Sequence, residues 1–127
     1  MIFFLTLEQV IVLHDDQLAM HGGLPGFRDR SVIEGMIARV ENLHGYEGEK
    51  DLFTLASAYL LAIARGHGFN DANKRTALAL ALVFLEMNGI SVFPPVEYAD
   101  YVVEAAQGLH DIHHVSESLR KLGNAHD

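Results

Sequence analysis

The run His67-Gly68-Phe69-Asn70-Asp71-Ala72-Asn73-Lys74-Arg75-Thr76 concentrates reactive side chains in one short stretch. His67 is an imidazole that can take a proton from an incoming hydroxyl near neutral pH. Asp71 is a carboxylate beside a group of donors. Next to bound phosphate it suits a Mg²⁺ ion bridging phosphate oxygens. Asn73 supplies an amide, and Lys74 and Arg75 supply two positive charges. Arg65 adds a third cation within eleven residues. A basic spot on an otherwise acidic chain points to a small anion such as a nucleotide polyphosphate. Phe69 alternates with these polar residues and would anchor their loop in the core. Taken singly, each residue has a simpler explanation. His67 could be structural, Asp71 a helix cap, and Lys74 and Arg75 solvated surface charges. It is the joint pattern that argues for chemistry.

Such a set needs a rigid platform, and a helix N-terminus supplies one. Its unpaired N–H groups and the positive end of the helix dipole both favour phosphate. The sequence predicts a helix from Asp71 or Ala72 to near Gly89. Cations in its first turn oppose the dipole, and a bound polyphosphate would compensate. From Ala77 to Leu85 the helix is apolar on every side, which predicts a central helix buried all round.

Five further helices are expected. The first opens at Thr6, where Thr6-Leu7-Glu8-Gln9 has capping-box spacing, and ends at Gly22-Gly23. The others span about Arg30–Leu43, Asp51–Arg65, Glu97–Gln107 and Val115–Leu122. The stretch Gly22 to Asp29 is a loop, and Ser91-Val92-Phe93 is a short extended candidate. With a single candidate strand, the fold class is all-α. The expectation is a compact single-domain bundle of about six helices around a buried central helix, spanning residues 1–127.

Bulk properties narrow the function. The chain has 127 residues and a formal net charge of −8, from nine basic and seventeen acidic residues. Scattered basic residues on an acidic chain disfavour nucleic acid as a direct partner. There is no cysteine, so disulfides, thiol catalysis and cysteine-bearing metal sites are excluded. The longest apolar run, Ala77 to Leu85, is far short of the ~20 residues a membrane span needs. Met1 to Leu5 lacks the parts of a secretory signal. A cytoplasmic protein without membrane contact is therefore expected.

His67, Phe69, Asp71, Asn73 and Arg75 resemble the motif of the Fic/Doc family, His-x-Phe-x-Asp/Glu-Gly-Asn-Gly-Arg with a second Arg three residues on. The resemblance is closer to the Doc-type toxins within it. Ala64-Arg65-Gly66-His67 and Phe69 through Leu78 carry it, with His14-Asp15, Gly22-Gly23-Leu24-Pro25-Gly26 and Asn88-Gly89. It covers nearly the whole chain.

The departures from typical Fic enzymes are informative. Ala72 and Lys74 stand where those have Gly, and Leu78 stands where they have the second Arg. A Cβ at 72 and a long cation at 74 would crowd the usual nucleotide pose, which delivers AMP. Doc-like proteins share these changes and act as kinases. The resemblance therefore implies ATP and Mg²⁺ as cofactors and transfer of the γ-phosphate to a threonine of elongation factor Tu, arresting translation. By position, His67 is the base and Asp71 the metal ligand. Arg65, Asn73, Lys74 and Arg75 are the nucleotide-binding set. Gly22, Gly23, Leu24, Pro25 and Gly26 form the flap that docks the target. Fic-type AMP transfer is the first alternative.

An inhibitory helix of the pattern Ser/Thr-x-x-x-Glu-Gly/Asn is missing, because Ser31-Val32-Ile33-Glu34-Gly35 is one residue short. The resemblance thus implies inhibition by a second chain, a Phd-like antitoxin docking in apolar grooves. Two other readings start from other residues. Arg39-Val40-Glu41-Asn42-Leu43-His44 has the Arg-x4–6-His spacing of helical HEPN-like ribonucleases, a loose pattern on a chain whose charge suits RNA poorly. His110-Asp111-Ile112-His113-His114 is rich in metal ligands but reads more simply as a surface loop.

Overall fold

The computed structural model describes residues 1–124 and contains six helices: α1 (Leu7–His21), α2 (Arg30–Gly45), α3 (Leu52–Gly66), α4 (Asn73–Met87), α5 (Tyr98–Ala106) and α6 (Ile112–Asn124). Residues 125–127, at the end of the expected domain, lie outside the described part.

Local chemistry sets the starts of the first three helices. At α1 the Thr6 hydroxyl accepts the Gln9 N–H at 3.2 Å, and the Gln9 side chain accepts the Thr6 N–H at 2.9 Å. This reciprocal pair satisfies two N–H groups that helix geometry leaves orphaned. Asp29 caps α2 through the Ser31 N–H. Asp51 caps α3 through Phe53 and Thr54. The Asp51 carboxylate also pairs with Arg120 of α6, whose guanidinium lies over the Phe53 ring.

The helix at the centre is α3. It packs against α2, α4, α5 and α6, and its buried set includes Leu55, Ala56, Tyr59, Leu60 and Ile63. Of these, Leu55, Leu60 and Ile63 each contribute about 1.5–3 kcal/mol on burial. The expectation for α4 is corrected here. It buries Thr76, Ala77, Leu80, Ala81, Phe84 and Leu85, but Leu78, Ala79, Leu82 and Val83 are only half-buried. Its uniform apolarity serves two purposes: one face meets α3, and the other gives Leu78, Ala79 and Leu82 to the wall of a cleft.

Two more expectations change. Ser91 to Phe93 forms no strand; the isolated bridge among the described residues joins Phe27 to Phe69. The last helix begins at Ile112, three positions before Val115, because the Asp111 carboxylate accepts the His114 N–H at 2.8 Å and its carbonyl accepts the Val115 N–H. The N-terminal segment is tied across the fold. Phe3 exchanges two bonds with the Asn88 amide, each 2.9 Å, and the Leu5 N–H donates to the Tyr59 hydroxyl. Burial pushes that phenol up to about 12.

Candidate functional site

The segment between α3 and α4 turns sharply at two places. His67 ends α3 with φ 53° and Ala72 precedes α4 with φ 63°, the two non-glycine residues with positive φ among those described. A left-handed conformation costs an L-residue about 1–2 kcal/mol, so the surroundings must hold it.

They do so from three sides. The Asn73 side chain closes a ring with Phe69, accepting its N–H at 3.1 Å and donating to its carbonyl at 3.0 Å. Phe69 is buried between two rings: His14, stacked at 3.7 Å and 7° from parallel, and Phe27 at 5.3 Å. The 22–29 loop then pairs with the segment through main-chain bonds. The Gly68 carbonyl accepts the N–H groups of Arg28 and Asp29, and the Gly26 carbonyl accepts the Asn70 N–H. The Asn70 amide adds a bond to the Pro25 carbonyl at 3.0 Å.

The result is a cleft of about 680 Å³ at the N-terminus of α4, within the range of small-molecule sites. His67, Asp71, Asn73, Lys74 and Arg75 all line it. Its apolar side comes from Leu78, Ala79 and Leu82 of α4 and Ala99, Val102 and Val103 of α5. His67 is exposed, and no bond holds its ring to any described residue. No side chain caps α4, and no acidic residue stands in its first turn. The first N–H groups of α4 are thus without a side-chain partner, and Lys74 stands exposed beside them. Asp71 receives the Ala72 N–H on Oδ1 at 2.8 Å and the Leu24 N–H on Oδ2 at 3.3 Å. Those two bonds, the Ala72 one first, hold its carboxyl below the usual range.

Not every sequence-predicted residue arrives with free hands. The Asn73 amide is committed to Phe69. Arg75 donates from Nη2 to the Gly22 carbonyl at 3.0 Å, so it joins the loop to the cleft with its remaining donors open. Arg65 is not brought to the cleft. Its guanidinium donates to the Ala105 carbonyl at 2.9 Å and the His110 carbonyl at 2.8 Å, and it lines a second groove of about 560 Å³ between α2 and α3. It ties the end of α3 to the end of α5. Gly22, Gly23, Leu24, Pro25 and Gly26 are all exposed and border the cleft through Gly22, which accepts from Arg75, and Leu24, which donates to Asp71.

Sequence reasoning gave no role at the site to His14, which is 1% exposed. In the sequence it stood out only as part of the His14-Asp15 pair that shares the family resemblance. The competing readings find less support. Arg39 lines the second groove, whereas His44 bonds the Glu49 carbonyl and packs near Phe4. His110 and His114 stack on each other at 4.5 Å and on Tyr101. No group of three or more potential metal ligands exists among the described residues.

A helical bundle with a histidine–carboxylate–cation cleft at the uncapped start of one helix is the arrangement of Fic domains, and the chain belongs to the Fic/Doc family: the family profile matches residues 4–85. Among its relatives is "Protein kinase doc" of Escherichia phage P1, 49% identical over 115 residues, covering 91% of each chain. "Toxin Doc" of Mycolicibacterium smegmatis is 34% identical over 104 residues, covering 81% of this chain and 75% of that protein. No helix among the described residues is long and apolar enough to cross a membrane.

Proposed function

We propose that this chain is a toxin-type protein kinase, moving the γ-phosphate of ATP to a hydroxyl of a translation factor, with a threonine of elongation factor Tu as the expected acceptor. The observation that carries the reading is the convergence of His67, Asp71, Lys74 and Arg75 on the uncapped start of α4. The name and coverage of the phage P1 relative support it. His67 takes the proton of the target hydroxyl. The hydroxyl oxygen bonds to the γ-phosphorus, the bond to the bridging oxygen breaks, and ADP leaves. Lys74, Arg75 and the N–H groups of α4 stabilise the charge on the phosphates.

The donor set fits Mg²⁺. One exposed carboxylate, Asp71, borders the anion site, and Mg²⁺ commonly takes one or two carboxylates plus substrate phosphates. There the ion would offset phosphate charge. The exposed 22–26 turn, pinned by Arg75 and Asp71, serves as the docking edge for the target segment. A Phd-like antitoxin and a cytoplasmic location complete the reading.

Transfer of AMP is the competing outcome. Against it stand Ala72, Lys74 and the apolar Leu78 in the cleft wall, where typical Fic enzymes have two glycines and an arginine. Incubation of elongation factor Tu with this protein and ATP labelled at the α- or the γ-phosphate separates them. The γ-label should appear on the acceptor, and Lys74→Gly should reduce it strongly without bringing in the α-label. Wild-type transfer of the α-label would overturn the kinase reading.

A further inference from the structure

Two N–H groups hold the carboxylate at the cleft, and the shorter of the two bonds comes from a peptide unit that is gripped at both ends. The N–H of Ala72 donates to Asp71 Oδ1 at 2.8 Å. The carbonyl of Asp71, the other half of the same peptide, accepts from His14 Nε2 at 2.9 Å. A carbonyl can only accept, so His14 carries its proton on Nε2. No main-chain N–H among the described residues shares that carbonyl, since the α4 ladder begins one residue later with Thr76 donating to Ala72. His14 is 1% exposed and its ring is stacked flat on Phe69, whose main-chain N–H and carbonyl are both held by the Asn73 side chain. Nδ1 stands 3.8 Å from Asp15 Oδ1.

Rotation of the 71–72 peptide would break both bonds together. It would also release Ala72 from its left-handed conformation, φ 63° and ψ 23°. The carboxylate would then lose the donor that fixes Oδ1. We infer that His14 is a positioning residue: through the Asp71–Ala72 peptide it sets the direction in which the Asp71 carboxylate faces the cleft. In function this rests on the kinase reading above, with Asp71 as the group that meets the metal–nucleotide. Groups that orient a metal ligand typically matter by about 10–100-fold in metal affinity or activity.

Two substitutions separate the stack from the bond. His14→Phe keeps a ring against Phe69 and removes the donor. His14→Gln supplies an N–H donor without the ring. A third, Val115→Ala in the core of α6, lowers stability at a place away from the cleft and controls for loosening of the fold. The first measurement uses the ligand-free chain: amide hydrogen exchange at Ala72 by NMR. It should quicken in His14→Phe, recover in His14→Gln and stay near wild type in Val115→Ala. The second is calorimetric affinity for MgADP together with the Mg²⁺ concentration giving half-maximal transfer. Both should worsen about tenfold or more in His14→Phe and recover largely in His14→Gln.

Unchanged Ala72 exchange in a folded His14→Phe overturns the inference, whether or not the chain is a kinase. Quickened exchange with wild-type MgADP affinity and Mg²⁺ dependence overturns it too, as does a Val115→Ala variant that reproduces the His14→Phe pattern. Absence of transfer and of MgADP binding in the wild type would instead sink the kinase reading, with the exchange data still deciding the role of His14.

Discussion

Gly68→Ala is the sharpest test of how the loop between α3 and α4 is seated on α2. A Cβ at this position would stand 2.4 Å from Ile33 Cδ1, 2.8 Å from Ile33 Cγ1 and 3.3 Å from Val32 Cγ1. Ordinary contact begins near 3.4 Å, so the overlap with Ile33 is about an ångström. Ile33 is wholly buried and cannot swing out to solvent. Either it leaves its rotamer or the loop lifts. Overpacking of this kind costs about 1–3 kcal/mol. With an unfolding entropy of roughly 2.1 cal/mol/K per residue over the chain, each kcal/mol shifts Tm by about 4 °C. A fall of roughly 4–11 °C is expected by calorimetry. Lifting the loop would also strain the Gly68 carbonyl, which holds both Arg28 and Asp29, so transfer should drop with stability. The cycle with Ile33→Val isolates the cause. That change removes Cδ1 and alone costs about 0.5–1.5 kcal/mol. The double mutant should be less destabilised than the sum of the two singles by more than 0.5 kcal/mol, roughly the additivity error for independent sites. A Tm within a degree of wild type, or simple additivity, would refute the reasoning.

Three further outcomes can be checked. His67→Asn should lower transfer by about 10²–10⁴ with little change in Tm, because Asn tolerates the left-handed backbone at that position. His67→Ala should lose activity equally and a little more stability, and near-wild-type turnover by either would remove the base. Asp71→Asn should keep the fold and weaken the response to Mg²⁺; a wild-type titration curve would leave Asp71 only as a tie to Ala72 and Leu24. Burial opposes ionisation of Asp51, yet Arg120 and the Phe53 and Thr54 N–H groups outweigh it and lower its pKa from 3.8. A depressed folded pKa stabilises the fold above that unfolded value, and the benefit is lost as pH falls below it. Asp51→Asn should therefore lower Tm at pH 7 and flatten the loss of stability below about pH 4, read from thermal melts across pH.

The legible parts of this molecule are those where local chemistry decides. Thr6 with Gln9, Asp51 before Leu52, and the Gly22-Gly23 break mark helix ends by capping and backbone freedom, and the helices begin and end near them. The clustering of His67, Asp71, Lys74 and Arg75 was legible because they sit on one loop and one helical turn. Two misplacements have separate causes. The all-apolar face of α4 reads the same against a core as against a cleft wall, so composition did not tell that Leu78 and Leu82 border open space. Arg65 lies two residues from His67, but the turn of α3 sends its side chain to Ala105 and His110, forty and forty-five positions away. The part played by His14 depended on a contact with Asp71 across 57 residues, which periodicity does not encode.

The 22–29 turn is attached to the segment from Gly68 to Arg75 chiefly through atoms that every residue possesses. Gly22, Pro25 and Gly26 contribute carbonyls, and Leu24, Arg28 and Asp29 contribute N–H groups. Leu24 and Arg28 expose their side chains and use none of them in this attachment. Mutation can therefore rewrite those side chains while the turn stays in register with Gly68 and Asn70. On the docking role proposed above for this turn, lineages built on this scaffold would be free to drift toward new acceptor proteins by altering surface letters alone, with the attachment underneath left undisturbed.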